Sequence, residues 1–156
     1  MAGVSIHPGQ LREYIVRPTL KRLGLHSEAA EELLMLTAAT ESLCGEYLHQ
    51  VGGPALGIFQ MEPRTHDDIW RNYLKFKPGL APEVAVFGHE AKELVGNLYY
   101  ATAMARIHYL RVPDRLPSAM DEYGLAQYWK DHYNTHLGAG TPEKAVMNYR
   151  KYAVIE

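Results

Sequence analysis

Apolar positions along the chain recur mainly at helical spacing. Leu11, Ile15, Leu20 and Leu23 predict an amphipathic helix over residues 10–23, bent at Pro18 and closed by Gly24. Ser27 is a good N-cap for a second helix, and Glu28, Glu31 and Glu32 suit its positive end. That helix then runs uncharged through residues 33–40, more than two turns, so this stretch is expected to be buried on most sides. From residue 46 the pattern breaks: Gly52, Gly53, Pro54 and Gly57 punctuate a loop, and a small strand or hairpin is expected at residues 57–60 and nowhere else. A third helix should follow Pro63 and carry Ile69, Trp70, Tyr73 and Leu74, with Pro78 and Pro82 marking a second loop. Residues 90–111 read as the longest helix, with Leu94, Leu98, Ala101, Ala105 and Tyr109 on one face, and Pro113 and Pro117 break it. Two shorter helices, about 121–136 and 142–152, close the chain. The expected fold class is mainly α, with one small β or loop excursion between the second and third helices.

Composition narrows the class without naming a function. The chain has 156 residues, 47% hydrophobic and 22% charged, which fits one globular domain over residues 1–156. Sixteen Lys and Arg against eighteen Asp and Glu give a formal charge of −2, so no basic surplus argues for nucleic-acid binding. The single cysteine, Cys44, excludes an intrachain disulfide framework and a Cys-rich zinc site. No apolar run approaches the ~20 residues needed to span a bilayer, and the N-terminal stretch lacks the apolar core of a secretory signal. Eleven tyrosines suit a wet groove as well as a core.

Glu41 is the residue most out of place. It follows the uncharged run directly and lies in line with Leu33 and Thr37, on a side that should face the core. It also lies near Gly45, a natural helix stop, where the helix dipole disfavours a carboxylate. Burial and the dipole both push its pKa upward, and a Glu held protonated near neutrality can act as a general acid. From the residues alone a surface Glu at a frayed helix end remains an equal reading.

Three segments resemble, in order, the lysozyme superfamily in its lytic transglycosylase and goose-type lysozyme branch. They are Glu41-Ser42 followed by Gly45, the stretch Ala55-Leu56-Gly57-Ile58-Phe59-Gln60-Met61-Glu62-Pro63, and His132-Tyr133-Asn134-Thr135 with Gly138 after it. The resemblance covers residues 38–140. Glu62 stands where transglycosylases usually carry an apolar residue and goose-type lysozymes a carboxylate. Pro63-Arg64-Thr65-His66 continues the goose-type likeness, and the last glycine is displaced to 138.

The resemblance implies a lysozyme-like helical fold and a peptidoglycan substrate, cleaved at the β-1,4 bond between N-acetylmuramic acid and N-acetylglucosamine. It implies Glu41 as general acid and base. Either the sugar's own 6-hydroxyl then attacks, giving a 1,6-anhydro product, or a second carboxylate, Glu62, activates water from the opposite face at ~6.5–9.5 Å. Ser42, Gly57, Gln60, Tyr133 and Asn134 are the implied substrate-binding residues. No cofactor and no metal is implied. The likeness extends to phage proteins, so delivery by a virion or by host lysis is expected in place of a signal peptide.

Other constellations carry competing readings. His132 and His136 have metal-ligand spacing but lack a third ligand at a recognisable distance, so a solvated or capping role is the simpler expectation. His66-Asp67-Asp68 could bind a cation or merely open the third helix with favourable charge. Cys44 could be the nucleophile of a cysteine peptidase, or simple packing. Residues 52–57 lack the Gly-Lys-Ser/Thr of a phosphate loop. A non-catalytic glycan-binding or virion module with the same fold is the rival to an enzyme.

Overall fold

The computed structural model describes residues 5–134 and 138–154. The protein is mainly helical. α1 (Pro8–Leu11) runs through a π-type turn, Arg12–Val16, into α2 (Arg17–Arg22). The wide turn lies just before Pro18, whose missing N–H and bulky ring would otherwise clash with a regular helix, so the expected bend takes this form. α3 (Glu28–Ser42) starts where Ser27 accepts a hydrogen bond from the Ala30 N–H at 3.0 Å. Residues 33–39 are all buried, as a helix apolar around its circumference should be. α4 (Pro63–Asn72), a 3-10 turn at Leu74–Phe76, α5 (Ala81–Ala85), a 3-10 turn at Ala91–Leu94, α6 (Leu98–Leu110), α7 (Glu122–Trp129), a π-type turn at Lys130–Asn134 and α8 (Pro142–Tyr152) follow.

Several boundaries differ from the sequence expectation. The helix foreseen over residues 90–111 is broken: Glu90 and Glu93 form a capping box on the short 3-10 turn, and α6 restarts at Asn97, whose side chain accepts from the Tyr100 N–H. α3 is therefore the longest helix among the described residues. α5 forms where Pro78 and Pro82 had marked only a loop, because Pro82 occupies a first-turn position that a helix tolerates. No strand forms among the described residues. The expected β excursion reduces to two isolated antiparallel bridges, His49 to Leu56 and Leu56 to Met61, because Gly57 (φ +80°) and Gln60 (φ +48°) turn the backbone out of extended geometry.

α3 is the axle. It packs against α8, α7 and α6, and the first helical segment lies across it and α6. One core joins Leu11 and Leu20 to Leu34 and Leu36 of α3, Met104 and Ile107 of α6, Trp129 of α7 and Val146 of α8. Polar ties fix the packing. Thr37 and Tyr109 hydroxyls hydrogen-bond at 2.8 Å, and the Tyr149 hydroxyl donates to Glu32 at 2.6 Å. No helix among the described residues is long and apolar enough to cross a membrane.

Candidate active site

The end of α3 is built to aim Glu41. The helix stops at Ser42, three residues before the expected Gly45, because Leu43 and Cys44 both take left-handed backbone (φ 53° and 56°). Such geometry is unfavourable for residues with a Cβ and is sustained by its bonds. The Cys44 N–H reaches back to the Ala38 carbonyl at 3.0 Å, and the Gly45 N–H donates to Ser42 Oγ at 3.0 Å. Ser42 Oγ in turn donates to the Ile58 carbonyl at 2.6 Å, pinning the 55–61 segment against the helix end. Glu41 is left at the mouth of this junction, facing a cleft of about 670 Å³.

Five of the residues singled out by sequence meet in that cleft. Glu41, Gln60, Glu62, Tyr133 and Asn134 all line it, although they come from three distant parts of the chain. On an extended segment Gln60 and Glu62, two residues apart, would share one face. They share the cleft by a different route: Gln60 sits in left-handed backbone with Nε2 donating to the Gly57 carbonyl at 2.9 Å, and Glu62 is the residue before α4. The Glu62 side chain is exposed and makes no cap bond to its own helix.

Ser42 and Gly57 do not contact the cleft. Ser42 is fully buried, with its hydroxyl engaged by Ile58, so its role is to hold the segment that carries Gln60 and Glu62. Gly57 is also buried, and a Cβ there would overlap the Leu94 carbonyl oxygen; its glycine identity answers to packing. Both were expected as substrate contacts, and both lie behind the residues that line the cleft. The Tyr133 hydroxyl is likewise occupied, donating to the Phe59 carbonyl at 2.6 Å, so its ring rather than its O–H is what the cleft receives. Asn134 Oδ1 accepts from Lys130 Nζ at 2.7 Å, and the same ammonium donates to the Gly138 carbonyl at 3.0 Å. Thr135 and His136 lie outside the described residues.

The electrostatics of the cleft centre on Glu41. Burial raises its pKa, a single hydrogen bond from Trp129 Nε1 at 2.9 Å lowers it, and the balance is about 7. Trp129 is the functional residue the sequence reading missed. Its signal was its place four residues before Tyr133, on the same side of one helical segment. His108 and Thr40 also line the cleft and carried no comparable signal. Thr40 Oγ1 is the one buried side-chain polar atom without a partner among the described residues.

The competing constellations come apart. Cys44 is buried and its thiol is pushed up to about 12 by desolvation, the wrong direction for a nucleophile. His66 is buried, bonded to the Tyr100 hydroxyl at 2.6 Å and to Asp67 at 2.9 Å, while Asp68 pairs with Arg111 at 2.8 Å. His132 lies 3.3 Å from Asp114. Among the described residues no three His, Cys, Asp or Glu side chains are grouped to hold a metal. No family model, no curated protein and no solved structure matches this chain.

Proposed function

We propose that the protein is a glycosidase acting on peptidoglycan, cleaving the β-1,4 bond between N-acetylmuramic acid and N-acetylglucosamine with Glu41 as general acid. The observation that carries this reading is a desolvated carboxyl of pKa about 7 on the wall of an open cleft, held by one donor. A carboxyl in that state keeps a transferable proton at neutral pH. The meeting of Gln60, Glu62, Tyr133 and Asn134 around it supports the likeness seen in the sequence.

Trp129 holds Oε2, and Oε1 has no partner among the described residues. Glu41 passes its proton to the glycosidic oxygen as that C–O bond breaks and positive charge grows on the sugar ring. The carboxylate left behind is then a base. It takes the proton of the 6-hydroxyl while that oxygen closes on the anomeric carbon, or Glu62 takes a proton from water that attacks there instead. Glu62 lines the cleft with an exposed side chain that makes no cap bond to its own helix, which favours the hydrolytic branch. The wall lies outside the cytoplasm, so the proposal includes delivery by a phage particle or by host lysis.

The test is a digest of purified peptidoglycan by wild type, Glu41→Gln and Glu62→Gln, with product ends read by mass. Glu41→Gln should lower cleavage at least ~10²-fold while thermal unfolding stays at or above the wild-type value. Near-normal cleavage by that variant overturns the assignment. Reducing ends that vanish in Glu62→Gln identify hydrolysis; 1,6-anhydro ends made at full rate by both wild type and that variant identify a transglycosylase.

A further inference from the structure

His108 lies on α6 and lines the same cleft as Glu41. Its ring packs edge-on against Tyr133, 4.9 Å between centroids and 66° between planes. Arg111 Nη2 lies 3.0 Å from His108 Nδ1, and Arg111 Nη1 is anchored on Asp68 Oδ2 at 2.8 Å. A guanidinium has only donors, so Nδ1 must accept, and the imidazole proton is fixed on Nε2. That Nε2–H has no partner among the described residues. His108 is only partly buried and lines the cleft. The space it opens on is the cleft.

Burial and the nearby Arg111 charge hold the His108 pKa down at about 4, so the ring is neutral wherever Glu41 is half protonated. A neutral, tautomer-locked N–H is a donor without net charge, so it can bind an uncharged acceptor with no ion pair needed on the ligand. Of the uncharged oxygens on an N-acetylated glycan, the amide carbonyl is the strongest acceptor and has no proton of its own to compete.

We infer that His108 is a substrate-binding residue whose Nε2–H donates to the acetamido carbonyl of a sugar in the cleft, selecting N-acetylated over deacetylated glycan. This rests on the glycosidase reading above. Asp68 and Arg111 act through it as positioning residues, holding the tautomer.

The experiment uses the full chain and two probes, the β-1,4-linked trimers of N-acetylglucosamine and of glucosamine. Nitrogen NMR of the wild type should show a protonated Nε2 and a bare Nδ1 at His108, with the Nε2–H signal moving when the acetylated trimer is added. His108→Phe, which keeps the packing on Tyr133 but removes the donor, should weaken acetylated-trimer binding ~10-fold and raise KM on peptidoglycan similarly with kcat little changed. It should lose most of its preference over the deacetylated trimer, and His108→Gln should recover part of it. A proton found on Nδ1 in the wild type overturns the inference without any variant. So does a His108→Phe that binds both trimers as the wild type does while the wild type cleaves peptidoglycan, and that result leaves the glycosidase reading standing. A wild type that neither binds the trimer nor cleaves the wall overturns both.

Discussion

Glu41 and Trp129 form a pair in which one group sets the other's charge state. Desolvation favours the protonated carboxyl, and the indole N–H favours the carboxylate. For a general acid the active form is the protonated one, so activity should hold below about pH 7 and fall above it. Replacing Trp129 with Phe removes the donor that stabilises the charge, so the Glu41 pKa should rise and the alkaline limb of kcat/KM should move to higher pH. A limb that moves to lower pH, or stays in place in a folded variant, contradicts this balance. The sequence reading reached Glu41 because a charge beside an uncharged helical run is visible in one dimension. It could not weigh Trp129, because the donor comes from a helix on the far side of the cleft.

At the level of elements, the junction between the end of α3 and the 55–62 segment decides where the cleft residues point. Ser42 and Gly57 stood out in sequence, and the structure places them behind the cleft lining. A short motif does not say whether substrate or packing uses each of its residues. Gly57 pairs a left-handed backbone, φ +80°, with direct contact to the Leu94 carbonyl. Gly57→Ala must therefore strain the backbone and push the 3-10 turn at Ala91–Leu94 away, at a cost well above ~1 kcal/mol in chemical denaturation. Cleavage should fall with it, since Gln60 and Glu62 ride on the displaced segment. An alanine variant with wild-type stability would show that this contact relaxes freely. The broken helix before α6 belongs to the same scale: apolar spacing alone ran through residues 95–97, where the cap at Asn97 interrupts it.

The whole molecule is pinned by charge as well as by its core. Glu31, 5% exposed, receives Arg12 at 2.7 Å, Arg17 at 2.8 Å and His26 at 2.9 Å, joining the first helical segment and the loop after it to α3. Burial raises its pKa, and the hydrogen bonds from Arg17, Arg12 and His26 outweigh that, holding it at about 2 against an ordinary 4.5. A depressed carboxylate contributes stability that is fully present above pH 4.5 and lost as the pH falls through about 2. Glu31→Gln removes the charge shared by Arg12, Arg17 and His26, and because Arg17 is well exposed and Arg12 keeps Glu32 it should lower unfolding free energy by only ~1–2 kcal/mol at neutral pH. Its stability curve should also be flatter than the wild type's between pH 4.5 and 2. Parallel curves through that window would remove Glu31 from acid unfolding.

The chain by itself determined the helical class, the buried character of α3 and the oddity of Glu41, whereas the segments expected around it were only what the resemblance implied. Those properties are local: apolar spacing, caps and turn residues act over a few neighbours, and each is written in consecutive residues. Tertiary structure alone decided which of these side chains face the cleft. It turned Ser42 and Gly57 inward, occupied the Tyr133 hydroxyl with a backbone carbonyl, and brought Trp129 to the acid and His108 to the same cleft. A hydrogen bond across the fold depends on two positions at once, and burial depends on all of them. The direction of the Glu41 shift was legible along the chain, but neither its balance against Trp129 nor the tautomer of His108 could be.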